Sequence, residues 1–256
     1  MTPPKTPWLV NRQPRPGARL RLYCFPHSGG SAGEYARWDE GLSDVEVWGV
    51  QLPGRGHRAA APASRRMDDL IARLLGEVEF RPPFALFGHS LGALIAYETA
   101  HALRAQGRPS PVHVAASAYP APHLTRLQER EPLHKMDDAR LEPLVLEGYG
   151  ALADELASDP EYLGLVIAGH RADYEVFETY RFVEREPLDV PMMILGGLDD
   201  DIGAPELAGW RGHTRAGFGV HLLPGGHFYL RDERAAVLRL IGSIPPDVPS
   251  TPGATR

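Results

Sequence analysis

Gly88-His89-Ser90-Leu91-Gly92 follows the apolar run Phe84-Ala85-Leu86-Phe87 and opens a helical stretch reaching about Gln106. A Gly-x-Ser-x-Gly placed between a strand and a helix makes a sharp turn that lifts the serine out at the end of the strand. The turn strains the serine backbone, and the two glycines remove side chains that would otherwise clash there. A chain built around this segment must bring a buried strand, a tight turn and a buried helix together in that order. Ser90 is thereby marked as a nucleophile.

Six short apolar runs read as strands: residues 20–25, 45–52, 84–87, 112–116, 192–195 and 220–223. Helical patterns separate most of them. The clearest covers residues 66–79, where Met67, Leu70, Ile71, Leu74, Leu75 and Val78 fall on one helical face. Strand alternating with helix implies a mostly parallel sheet covered on both sides. With the serine turn inside it, that is the α/β-hydrolase arrangement.

The alternation stops once. Residues 119–186 carry no strand pattern, and Pro120, Pro122, Pro132, Pro143 and Pro160 punctuate short helical pieces. Asp159-Pro160 has the form of an N-cap with proline at the first helical position, leading a helix through Leu163, Val166, Ile167 and Tyr174. So long a helical stretch between two parallel strands is an insertion rather than a loop. The expected organisation is a core of residues 1–118 and 187–244, a helical lid at 119–186, and a disordered Pro-rich tail at 245–256.

Composition narrows the function classes. Hydrophobic residues make up 43% of 256, enough for a sizeable core, and the net charge of −6 comes with no basic stripe for nucleic acid. Lys5 and Lys135 are the only lysines among 27 basic residues, which reads as genome composition rather than function. The lone Cys24 forms no internal disulfide, sits in a strand pattern and fits a reducing cytoplasm. Met1-Thr2-Pro3-Pro4-Lys5 lacks the apolar stretch of a secretory signal, so none is expected, and no run is long and apolar enough to read as a membrane span. Neither a metal-ligand spacing nor a nucleotide-binding glycine motif is found, so no cofactor is expected.

A serine nucleophile needs a base, and the base needs an acid; in this fold they follow in the order Ser, acid, His. Of 11 histidines, His227 lies straight after the last apolar run, in Leu223-Pro224-Gly225-Gly226-His227. His89, beside the nucleophile, is expected to support the turn. The acid should follow residues 192–195, where three aspartates are adjacent. Asp199, at the end of a Gly-x-x-Asp turn, is favoured, leaving Asp200 and Asp201 as loop charges or a helix cap. Two backbone donors should face the oxyanion: the N–H of Leu91, and that of Ser28, with Gly29 as the fallback.

The chain then resembles the type II thioesterases, free-standing hydrolases of polyketide and nonribosomal peptide assembly lines, over roughly residues 8–243. The similarity rests on Cys24-Phe25-Pro26-His27-Ser28-Gly29-Gly30 with Tyr35 and Trp38, and on Gln51-Leu52-Pro53-Gly54-Arg55-Gly56 with Arg58. It extends to Arg171-Ala172-Asp173-Tyr174 and Glu178-Thr179-Tyr180 in the lid. Trp210 also falls where the family places a tryptophan relative to the acid. Gly148-Tyr149-Gly150-Ala151 departs from the family's usual lid turn.

The resemblance implies hydrolysis of an acyl thioester on the phosphopantetheine arm of a carrier protein. That substrate carries its own phosphopantetheine, and the carrier protein is the implied partner of a monomer. Leu163, Val166 and Ile167 either line the acyl pocket or only pack the lid. Competing readings are an esterase or peptidase on small substrates, a non-catalytic binding protein of hydrolase shape, and a cyclase domain cut from a larger synthase.

Overall fold

The computed structural model describes residues 6–124 and 131–247. Its centre is a seven-stranded sheet of β1 (Leu9–Val10), β2 (Leu20–Phe25), β3 (Val45–Val50), β4 (Phe84–His89), β5 (His113–Ser117), β6 (Met192–Gly197) and β7 (Phe218–Leu223). Their spatial order is β1-β3-β2-β4-β5-β6-β7. Every neighbouring pair is parallel except β1 with β3. The six expected strands are all present. The short β1 adds an antiparallel edge that two residues could not announce by periodicity.

Alternation along the strands feeds two cores. Tyr23 and Phe25 of β2, with Phe84 and Leu86 of β4, face one layer, packed by α1 (Met67–Glu77) and α2 (Leu91–Ala105). Leu20, Leu22, Cys24, Ala85 and Phe87 face the other, closed by Val237, Leu238 and Ile241 of α7 (Arg234–Gly242) and by Tyr35 and Trp38. Burying a large apolar side chain is worth about 1.5–3 kcal/mol, so both layers hold the strands in register. Cys24 is fully packed, and burial pushes its thiol pKa well up. It is a core residue.

Among the described residues, the segment between β5 and β6 is built of helices and connecting loops. It contains α3 (Asp138–Glu147), α4 (Ala153–Ala157) and α5 (Pro160–Thr179). Asp159 caps α5, its side chain accepting the Tyr162 N–H, and Pro160 follows in the first turn. Leu163 and Ile167 join Leu141, Val145 and Leu156 in a cluster of the lid's own, with Val166 partly buried at its edge. For Leu163 and Ile167 this is the packing alternative. The tail expected at 245–256 lies outside the described residues from 248 onward. No helix among the described residues is long and apolar enough to cross a membrane.

Candidate active site

The catalytic candidates all leave the carboxyl ends of parallel strands, where crevices open in such sheets. Ser90 follows β4 with φ 55° and ψ −122°, a positive φ that among described non-glycine residues only Ala118 shares. Its N–H donates to the Ser117 carbonyl at 2.8 Å, anchoring the elbow to β5. A side chain at Gly88 would run into the Gly92 carbonyl, and one at Gly92 into that of Phe25. Strand and helix meet too closely for any residue but glycine at either place.

His227 follows β7, and its Nδ1 lies 3.0 Å from Asp200 Oδ2. Its ring packs 5.3 Å from that of His89, the residue before the nucleophile. Asp200, not Asp199, is therefore the partner of His227. Asp199 is exposed, and its N–H donates to the Gly225 carbonyl at 3.0 Å. The Asp200 side chain is only 5% exposed. Burial acts to raise its pKa, but the hydrogen bond and charge of His227, with the N–H groups of Ile202 and Asp201, outweigh that and lower it.

The one-residue difference comes from strand length. Gly196 and Gly197 look like a turn, yet both pair with β7 opposite Leu222 and Leu223. The sheet runs two residues past Leu195, so the turn delivers Asp200. A side chain at Gly197 would strike the carbonyls of Gly225 and Gly226, so glycine lets the histidine loop close against the strand. Asp201 is exposed, and no side chain caps the helix α6 (Ala204–Ala208). Trp210 is fully buried, and its indole donates to the Tyr119 carbonyl at 2.8 Å. That packing role does not distinguish the aspartates.

The two expected oxyanion donors are placed differently. Leu91 opens α2, where the first N–H groups have no acceptor within the helix. Ser28 lies in a turn closed by Gly30 N–H to the His27 carbonyl at 2.9 Å, with Gly29 at φ 73°. Among the described residues no partner takes the Ser28 N–H, whereas that of Gly29 donates to Asp173 Oδ2 at 2.7 Å. The Gly29 fallback is thus committed elsewhere.

Several further residues complete the surroundings. His89 is fully buried; its Nδ1 pairs with Ser117 Oγ at 2.8 Å, which pairs with Tyr229 OH at 2.7 Å. Burial drives the His89 pKa well below its ordinary value, so it stays neutral and supports the turn as expected. Arg55 holds Asp173 with both terminal guanidinium nitrogens, Nη1 and Nη2, at 2.6 and 2.5 Å. The only sequence signal for that pair is that each lies in a segment carrying the resemblance.

A buried acid paired with an imidazole, and a serine held at positive φ on the turn after β4, are the parts that acyl transfer requires. The family model for the thioesterase domain matches residues 20–244. The chain belongs to the thioesterase family. This thioesterase is 36% identical over 242 residues to linear gramicidin dehydrogenase LgrE of Brevibacillus parabrevis, covering 92% of this chain and 91% of that one. It is 36% identical over 234 residues to thioesterase PikA5 of Streptomyces venezuelae, covering 88% and 81%. Its fold superposes on the type II thioesterase BorB from the borrelidin biosynthetic cluster with a TM-score of 0.81. There the identity is 33% and the coverage 91% and 96%.

Proposed function

We propose that this thioesterase hydrolyses acyl groups from the phosphopantetheine arm of the carrier proteins of a polyketide or nonribosomal peptide synthase, clearing stalled or wrongly loaded units. The observation that carries the mechanism is the 3.0 Å contact of His227 Nδ1 with Asp200. With Nδ1 turned to the carboxylate, Nε2 is the ring nitrogen left to take the Ser90 proton.

Ser90 Oγ attacks the thioester carbonyl while His227 Nε2 accepts its proton. The carbonyl oxygen becomes an oxyanion facing the N–H groups of Leu91 and Ser28. The tetrahedral adduct collapses by breaking the carbon–sulfur bond, and the pantetheine thiolate leaves, taking its proton from His227. A thiolate leaves readily, so this protonation is less demanding than in amide cleavage. Water, deprotonated by His227, then attacks the acyl-Ser90 ester; the bond from the acyl carbon to Ser90 Oγ breaks, His227 returns the proton to Oγ, and the carboxylic acid departs. Asp200 stabilises the imidazolium formed at both stages.

Carrier-protein substrates are supported by the likeness to PikA5 and BorB and by the match to the thioesterase family over residues 20–244. The test compares an acyl carrier protein with a p-nitrophenyl ester of the same acyl chain. The carrier is expected to be hydrolysed with the higher kcat/KM, read by intact mass. A strong preference for the free ester would favour a small-molecule esterase instead.

A further inference from the structure

Two segments outside the triad meet at the oxyanion loop. Arg55, in the loop after β3, reaches Asp173 on the lid helix α5, and both side chains are nearly out of solvent, at 11% and 6% exposure. Its Nη1 donates as well to the Gly30 carbonyl at 3.2 Å. The same Asp173 oxygen that accepts from Arg55 Nη1 accepts the Gly29 N–H at 2.7 Å. One turn earlier on α5, the ring of His170 occupies the space where a side chain at Gly29 would stand. Gln51, which opens the Arg55 segment, accepts the Ala32 N–H with its side chain. The lid helix and the Arg55 loop thus both hold the backbone just after Ser28, at Gly29 and Gly30.

The Gly29 N–H held by Asp173 belongs to the peptide next to the one that carries the Ser28 N–H. A planar peptide held on one side leaves its neighbour little freedom, since only two backbone angles join them. Gly29 at φ 73° admits no other residue without strain, and its N–H is fixed by a charge-assisted hydrogen bond. We propose that Asp173, clamped by Arg55, is a positioning residue for the oxyanion hole: by holding the Gly29 N–H it aims the Ser28 N–H, so that the docked lid helix completes the site. The lid then has a part in the chemical step as well as in enclosing substrate. The inference rests on the thioesterase reading of Ser90 and its loops.

The experiment pairs Asp173→Ala with Asp173→Asn and measures kcat, KM, melting temperature and the affinity of an acyl trifluoromethyl ketone. Attack of Ser90 on that ketone places an oxyanion where the donors point. A displacement of about 1 Å in such a group costs about 10²-fold, so Asp173→Ala is expected to lose about that in kcat with KM within a few fold. Ketone affinity should fall by a matching factor. Asp173→Asn keeps an oxygen able to accept the Gly29 N–H and is expected to recover part of the loss. Arg55→Lys, which gives up the two-pronged grip, provides the same reading if Asp173→Ala does not fold. A lowered melting temperature with kcat and ketone affinity unchanged would overturn the proposal. Failure of the parent protein to bind the ketone at all would instead count against the thioesterase reading.

Discussion

Asp200 Oδ2 lies 3.0 Å from His227 Nδ1, while Asp199, one residue nearer the sheet, leaves its side chain in solvent. Adjacent residues on a turn point in different directions, so only one of them meets the imidazole. Asp200→Asn is expected to lower kcat by about 10³- to 10⁴-fold, because the amide favours the wrong tautomer of His227. Asp199→Asn should stay within a few fold. Steady-state rates on an acyl carrier protein separate the two, and a large loss confined to Asp199→Asn would refute the assignment.

The lid makes a second division. Leu163 and Ile167 belong to the lid's own cluster, so Ile167→Ala is expected to lower stability by about 2–5 kcal/mol and leave acyl preference unchanged. Val166 is only partly buried at the edge of that cluster. Val166→Ala is expected to shift chain-length preference by about tens of fold if its side chain meets the acyl group. A series from acetyl to decanoyl carrier protein, with melting temperature alongside, reads both effects. A changed preference in Ile167→Ala would contradict the packing role.

Buried histidines give the fold a pH limit. Burial lowers the pKa of His27, His113 and His213 to about 4 and that of His101 to about 3. In the unfolded chain each returns to about 6.5. As pH drops below that value the unfolded state binds protons that the folded state refuses, so stability falls between about pH 6.5 and 4. Above about pH 7 these groups are neutral in both states and contribute no pH dependence. Urea midpoints should therefore decline from about pH 7 to about pH 5, and a level midpoint across that range would contradict the prediction.

The chain from His89 through Ser117 to Tyr229 ties the ends of β4 and β5 to the histidine loop. Ser117→Ala leaves two buried polar groups without their shared partner, at a cost of about 1–3 kcal/mol. Chemical denaturation measures it. No loss of stability would mean that the hydroxyl does not join them.

Much of this is legible in the sequence. The elbow, His227, the parallel character of the sheet and the lid helix at Pro160 each follow from a pattern within a few residues. Asp200 is not legible, because Gly196 and Gly197 have the composition of a turn but the pairing of a strand, and pairing is a property of β7. The Arg55–Asp173 clamp joins residues 118 apart in the chain, and no local pattern brings such a pair together. The helix capped by Asp159 can be read locally; what its inner face grips cannot.

In the proposed reaction every acyl group passes through Ser90. Rapid-quench mass spectrometry of the enzyme with an acyl carrier protein tests it most directly. A transient mass increase equal to the acyl group is expected, mapped to the peptide containing Ser90 and absent in Ser90→Ala, which should also lose turnover by about 10⁴-fold or more. Turnover that persists in Ser90→Ala at a tenth of the parent rate, or an acyl adduct on another residue, would contradict it.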